Sequence, residues 1–174
     1  MPQTFTLIAS STVGATAVSS VEFTSIPSTY TDLVIKSSYR TNLAQIYDQL
    51  RLTFNGSSTA VYSFRGITGD GSANPSSESA SSVASIKVAP GTGNSATAST
   101  FSNNDLYIPN YAGSTNKSLS ADAVGENNGT TGYDSLFAGL WANTSAITQI
   151  TLKPESNGNF LQHSTFYLYG IKKD

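Results

Sequence analysis

The chain has no cysteine, and it contains only one methionine, one tryptophan and one histidine. Without cysteine it forms no disulfide, holds no thiolate metal site and has no thiol nucleophile. Cysteine usage therefore does not indicate whether the protein works in a reducing or an oxidising compartment. With His163 as its one histidine, a zinc site would need mostly carboxylate ligands, which is rare for that ion. The sequence therefore predicts no metal site and no cofactor.

Charged residues are also scarce, at 11% of the chain. Nine basic and eleven acidic residues leave a net charge of −2, and the basic ones are scattered from Lys36 to Lys173. Since no electropositive stripe exists, nucleic acid is not an expected partner. No apolar run is long enough to span a membrane, and no basic residue precedes the short apolar run near the start, so we expect cytoplasmic synthesis without a signal peptide.

What the chain does have is a two-residue period of apolar side chains in many short segments. "QLRLTFN" places Leu50, Leu52 and Phe54 on one face of a strand, and the pair Asn55-Gly56 then predicts a tight turn. "DLVIKSSYR", residues 32–40, shows the same alternation, with Arg40 on its polar, outward face.

Similar runs predict further strands across the chain. They lie at Phe5–Ser10, Val21–Phe23, around Tyr62 and Phe64, and at Ile86–Val88, Leu106–Ile108, Lys117–Val124, Leu136–Trp141, Ile147–Lys153 and Phe166–Ile171. Together they predict an all-β fold of roughly eight to ten strands, an antiparallel β-sandwich of jelly-roll type. The length of 174 residues predicts one such domain, spanning residues 1–174.

One segment departs from this period. In "TNLAQIYDQL", Leu43, Ile46, Tyr47 and Leu50 recur at helical spacing, so we expect a helical turn before the Leu50 strand.

Three polar segments are longer than ordinary hairpin loops: Thr68–Ser82, Pro90–Thr100 and Gly125–Asp134. Each is either a plain surface connection or part of a binding surface at an end of the sandwich. "DGSAN", residues 70–74, begins like a calcium loop, but Pro75 and Ser81 stand where such a loop needs glycine and glutamate. We therefore expect a polar loop there without an ion.

Catalytic side chains do not form a motif. His163 has no acidic neighbour in sequence, and the dispersed carboxylates leave open only a pair that meets in space, as glycoside hydrolysis would require. The sequence predicts that the chain is not an enzyme. Trp141 alternates with Phe137 and Gly139, which favours a place in the core over a sugar-stacking role.

Two stretches resemble a known family. "VEFTSIPSTYTDLVIKSSYR" (21–40) and "ITQITLKPESNGNFLQHSTFYLYGIKKD" (147–174) are similar to the corner and terminal strand of small β-sandwich virion proteins of tailed bacteriophages, and "LRLTFNGSSTAVYSFRG" (50–66) is similar to their central hairpin. These proteins occur as head decoration (cement) proteins and as tail-fibre modules. The resemblance implies a fold and a setting, and no catalytic residue.

In that setting we expect a capsid decoration protein that binds and stabilises the outside of the head, with the major capsid protein as partner. It would be made in the host cytoplasm and located at the capsid surface of the virion. The alternative is a tail-fibre or receptor-binding module that contacts host surface glycans through the loops 68–82 and 125–134, with Tyr133 or Trp141 as contacts.

The last expectation concerns assembly. The terminal strand has Phe166 and Leu168 on one face and Tyr167, Tyr169 and Ile171 on the other, so it is a central strand or lies under a neighbouring subunit. Tyrosine buries a large area while its hydroxyl finds a partner, which suits subunit contacts. With the resemblance, this predicts a homo-oligomer, a trimer, with Tyr167 and Tyr169 at its contacts.

Overall fold

The computed structural model describes residues 4–130, 132–155 and 157–172. Among these residues there are twelve β-strands and no helix. The strands are β1 Phe5–Thr12, β2 Val21–Phe23, β3 Asp32–Ser38, β4 Tyr47–Phe54, β5 Tyr62–Gly69, β6 Ser76–Val83, β7 Ile86–Thr92, β8 Asn103–Ile108, β9 Lys117–Gly125, β10 Tyr133–Trp141, β11 Ile150–Pro154 and β12 Thr165–Ile171. The predicted all-β class is confirmed.

The strands form two antiparallel sheets that pack face to face. The larger sheet has eight strands in the order β1-β12-β3-β8-β9-β10-β5-β6, and the smaller has four in the order β2-β11-β4-β7. The predicted β-sandwich is therefore confirmed. The jelly-roll topology stays a prediction. The strand order favours it if β5-β6 and β9-β10 are taken as two added pairs of strands, because the remaining strands then form two sheets of four, β1-β12-β3-β8 and β2-β11-β4-β7.

The core lies between the sheets and is built by the predicted alternation. Leu50, Leu52 and Phe54 of β4 are buried, as are Phe166 and Leu168 of β12. Trp141 is 1% exposed, and its ring stacks near Tyr62 with centroids 6.3 Å apart. Its predicted place in the core is confirmed.

Two predictions of local secondary structure were wrong. Residues 44–46 form bends, and Tyr47 and Leu50 belong to β4, because this segment pairs with β7 instead of closing helical hydrogen bonds. The predicted loop Thr68–Ser82 contains β6, a serine-rich edge strand that pairs with β5 alone. One neighbouring strand is enough to hold β6, although its sequence carries almost no apolar side chains.

Connections leave the sandwich at two ends. The segments that follow β1, β3, β5, β7, β9 and β11 share one end, which we call the loop end. The first residue of β1 and the last of β12 lie at the opposite end, where Phe5 and Ile171 are register partners.

Candidate binding surface

Exposed apolar side chains gather on one face of the molecule. Among the described residues, seven of the eight large apolar side chains that remain exposed lie on the side of the eight-stranded sheet that faces away from the core. These seven are Phe5, Leu7, Ile67, Tyr107, Val124, Leu136 and Leu140. We call this side of the larger sheet the outer face.

The opposite side of the sandwich is polar. Residues of the smaller sheet that alternate with its core residues are polar or charged, among them Glu22, Gln49, Arg51, Thr53, Lys87, Thr151 and Lys153. Ion pairs join Arg51 to Glu155 and Lys87 to Glu78. Since a sandwich needs only one buried side per sheet, the apolar excess on the outer face calls for a separate explanation.

Two adjoining depressions mark the centre of the outer face. One, of about 650 Å³, lies over β5, β6 and β10 and is lined by Ile67 and Leu136. The other, of about 450 Å³, lies over β3, β8 and β9 and is lined by Lys36, Tyr107 and Leu136. Their volumes fall in the range of ligand-binding pockets.

Tyr107 lies on the outer face in a fixed position. Its hydroxyl donates to Asp32 Oδ2 at 2.7 Å, and the other oxygen of that carboxylate accepts the backbone N–H of Asn110 at 2.8 Å. The hydrogen bond to Asp32 raises the pKa of Tyr107. With 40% of the residue exposed, the anchored ring is available for stacking.

Two carboxylates meet in the second depression. Asp105 and Asp122 are register partners on β8 and β9, so their Cβ atoms lie about 5 Å apart. Lys36 Nζ pairs with Asp105 Oδ2 at 2.6 Å. Glycoside hydrolysis requires two neighbouring carboxylates, but both of these residues are exposed. A general acid of that kind is kept protonated by burial, which this open surface does not provide.

The predicted contact tyrosines do not form one site. Tyr167 and Tyr169 lie half-buried on the outer face of β12, with ring centroids 6.5 Å apart. β12 pairs with β1 and β3, so the interpretation of the terminal strand as an internal one is confirmed.

Tyr133 lies at the loop end, on the other side of the same sheet. Its ring stacks on Tyr47 with centroids 4.2 Å apart. Burial raises the pKa of both Tyr133 and Tyr47. Trp141, the other glycan contact considered from the sequence, is buried in the core and is not available for a ligand.

Arg40 holds the loop end together, contrary to the prediction that it points outward. It is 6% exposed, and its guanidinium donates to the carbonyls of Asn94, Ala96, Thr97 and Thr100 and to the Thr100 hydroxyl at 2.7 to 3.2 Å. Burial lowers the pKa of Arg40. The first residues of the predicted polar loop Pro90–Thr100 belong to β7, and these hydrogen bonds hold the rest of the loop in place.

The second predicted loop at this end, Gly125–Asp134, rests on the first. Thr97 Oγ1 donates to the carbonyl of Asn127 at 2.9 Å, and Thr92 Oγ1 donates to that of Glu126 at 3.0 Å. These contacts are structural, and the aromatic pair beside them is the Tyr47–Tyr133 stack.

The residues weighed for other chemistry lie apart from the outer face. His163 is exposed, with φ of 74°, and its backbone N–H donates to the Val13 carbonyl. Asp70 Oδ1 accepts the N–H of Ser72 at 2.9 Å, which closes a turn, and the hydrogen bonds from Ser72 lower the pKa of Asp70. In the part of the chain that the structure describes, no group of three or more His, Cys, Asp or Glu side chains is placed to hold a metal ion.

Sequence reasoning missed Tyr107, Asp122 and Arg40. The alternation of β8 and β9 shows that Tyr107 and Asp122 point away from the core. It does not show that they share a depression, because the pairing of β8 with β9 brings them together. No local signal marks Arg40, whose partners lie 54 to 60 residues away.

The chain was compared with known proteins. No protein-family model, curated protein or solved structure matches it. No helix long and apolar enough to cross a bilayer occurs among the described residues. The resemblance to phage virion proteins therefore stays a prediction, and the function is argued from the surface.

Proposed function

We propose that this chain is a structural protein of a tailed-phage virion, a capsid decoration protein that acts by binding and not by catalysis. The observation that carries the proposal is the contrast between the two sides of the sandwich: apolar side chains lie on the outer face, and polar ones cover the smaller sheet. Large exposed apolar patches on soluble proteins mark interaction sites. The bacteriophage setting rests on the sequence resemblance.

The outer face offers room for two contacts. Its β9-β10-β5 half, with Ile67, Leu136 and Leu140 exposed, is the side we assign to the major capsid protein. Its β1-β12 half, with Leu7 opposite Tyr169, is the side we assign to a neighbouring copy in a homotrimer. In this arrangement the polar sheet faces solvent at the capsid surface.

Quantitative mass spectrometry of purified virions tests the placement. A decoration protein should approach the copy number of the major capsid protein, whereas a few copies per particle would overturn the head assignment. Leu136→Asp should abolish binding to heads that lack the protein. Lys153→Asp, an exposed substitution on the polar sheet, should leave it intact.

Light scattering tests the trimer. The chain has a mass of 18.2 kDa, so a trimer scatters as a particle of about three times that mass. Tyr169→Asp should dissociate the trimer without unfolding the subunit, since Tyr169 is only half-buried within one subunit. A stable dimer, or a trimer that is insensitive to Tyr169→Asp, would contradict the proposed contact.

Glycan binding is the second candidate, and the anchored Tyr107 ring favours it. Pyranose rings stack on exposed aromatic faces, and Lys36, Asp105 and Asp122 beside Tyr107 offer hydrogen-bond partners for hydroxyl groups. This site lies on the outer face and not on the loops 68–82 and 125–134 considered from the sequence.

A glycan array distinguishes this candidate. Tyr107→Ala should abolish a true signal, and Tyr107→Phe should retain much of it, because the ring remains while the tether to Asp32 is lost. Binding that survives Tyr107→Ala would remove the candidate. Release of reducing ends from a bound glycan, lost in Asp122→Asn, would instead indicate hydrolysis and contradict a purely binding role.

A further inference from the structure

One row of side chains crosses all eight strands of the outer face. Following the register from β1 to β6, it consists of Ser10, Tyr167, Lys36, Asp105, Asp122, Leu136, Ile67 and Ser77. The charged centre of the row thus lies directly beside the apolar pair Leu136 and Ile67, with the boundary between Asp122 and Leu136.

The charges in this row are not balanced. Like charges directly opposite each other destabilise a strand pair, and Asp105 faces Asp122 in that way. Lys36 lies on the far side of Asp105 and forms its ion pair there. Across the described residues, the Asp122 carboxylate has no hydrogen bond or ion pair, and the residue lies exposed between Asp105 and Leu136.

The surrounding face adds to the negative charge. Among the described residues, the outer face carries four carboxylates, Asp32, Asp105, Asp122 and Asp134, against two basic groups, Lys36 and Arg65. A second copy docked face to face on β8, β9 and β10, away from the β1-β12 half assigned to the trimer contact, would place carboxylates against carboxylates. A neutral glycan would leave the charge uncompensated. A cationic side chain set among apolar neighbours complements both the charge and the apolar side chains.

We propose that Asp122 is the anchor for a lysine or arginine side chain of the protein on which the outer face docks. This inference rests on the proposed docking function and specifies the chemistry of the partner: a basic group that projects from an apolar surface. Leu136, Tyr107 and the partner's apolar residues would shield the new pair from water, which strengthens a charge-assisted hydrogen bond. The unfavourable Asp105–Asp122 pair of the free protein would be relieved when the complex forms.

The test uses the full chain and heads purified from virions whose gene for this chain has been deleted. Co-sedimentation at several salt concentrations gives the affinity of wild type, Asp122→Asn, Asp122→Lys and the matched control Asp134→Asn. Asp134 lies on the same face, is also exposed and carries the same charge, but it pairs with Gly69 and Val124 instead of with a carboxylate. Circular dichroism confirms that each variant folds.

We expect Asp122→Asn to weaken binding at least tenfold and to flatten its salt dependence, because an ion pair across the interface is lost. Asp122→Lys, which would face Asp105 favourably in the free protein, should weaken binding more than a hundredfold. Asp134→Asn should change the affinity by less than threefold.

The outcomes separate this inference from the docking function. If wild type does not bind the heads, the docking function itself is wrong. If wild type binds and Leu136→Asp abolishes binding while Asp122→Asn matches wild type, docking stands and the anchor is refuted. If Asp134→Asn weakens binding as much as Asp122→Asn, general charge attraction replaces a specific anchor and overturns the inference.

Discussion

Replacing Arg40 tests whether one buried guanidinium holds the loop end in place. Its five hydrogen bonds reach four carbonyl groups and one hydroxyl of the segment 94–100. In Arg40→Met, the Thr97 carbonyl keeps the bond from the Thr100 hydroxyl at 2.8 Å, and Asn94 is exposed to water. The carbonyls of Ala96 and Thr100, both in buried residues, lose their guanidinium partner.

A buried polar group without a partner costs about 1–3 kcal/mol. Two such carbonyls would cost about 2–6 kcal/mol, and the Met variant regains part of this because no charge needs to be buried. We therefore expect the free energy of unfolding to fall by about 2–4 kcal/mol in Arg40→Met. Arg40→Lys should recover less than half of the loss, since an ammonium group has three donors and cannot reproduce the planar fork.

Urea unfolding followed by circular dichroism measures the loss, and amide hydrogen exchange locates it. The N–H groups of Asn94 and Thr100, which bond to Leu43 and Thr97, should exchange faster in the variant. Arg65→Met is the control: Arg65 is exposed on β5, and its removal should cost about 0.5 kcal/mol or less. A loss below about 1 kcal/mol in Arg40→Met, or unchanged exchange in the segment 94–100, would refute the reasoning.

Three further predictions concern the isolated protein. Asp122→Asn should raise the free energy of unfolding by about 0.2–1 kcal/mol, seen as a Tm about 0.4–4 °C higher, because it removes the carboxylate opposite Asp105; a lower Tm would contradict the repulsion. Above pH 10, the free energy of unfolding, measured with urea, should fall as pH rises, because burial raises the pKa values of Tyr39, Tyr62 and Tyr111, so that the unfolded chain loses these protons first. Burial lowers the pKa of Lys117, which acts in the opposite direction, but this is one group against three; a free energy of unfolding that stays constant or rises would contradict the prediction. Leu52→Asp should prevent folding, while Thr53→Asp on the polar side of β4 should cost about 1 kcal/mol or less, as judged by circular dichroism.

Much of the fold follows from alternation alone. In β4, β9 and β10 alternate residues are buried and most of them are apolar or small, which is the pattern that the sequence displays; the buried charged residues Asp48 and Lys117 are exceptions. β6 escaped prediction because its stability comes from pairing with β5, and its own side chains, mostly serine, carry no period. The spacing of apolar residues from Leu43 to Leu50 fits a helix, but pairing with β7 makes its second half a strand, and the sequence of the segment alone does not show that pairing.

The candidate surface was less accessible to prediction than the fold. That Asp122 faces water is visible in the sequence, but its neighbours Asp105 and Leu136 are set by strand order. Arg40 lies two residues beyond β3, and continuing the alternation of β3 would place it on the exposed face. The strand ends at Ser38, and Arg40 instead forms an isolated bridge with Thr92, so the alternation of β3 no longer applies to it.

The pairing of the first strand with the last has a consequence for engineering the chain. Phe5 and Ile171 are register partners at the end of the sandwich opposite Arg40 and its loop, and the described chain extends one residue beyond each, to Thr4 and Lys172. A short glycine-rich linker between Thr4 and Lys172 can therefore join the first and last strands, and a new start can be opened at the exposed residues 128–130 between β9 and β10. Such a circular permutant would keep every strand pair of both sheets. An affinity tag placed at residues 128–130 would lie at the loop end, away from Phe5 and Leu7 of the outer face.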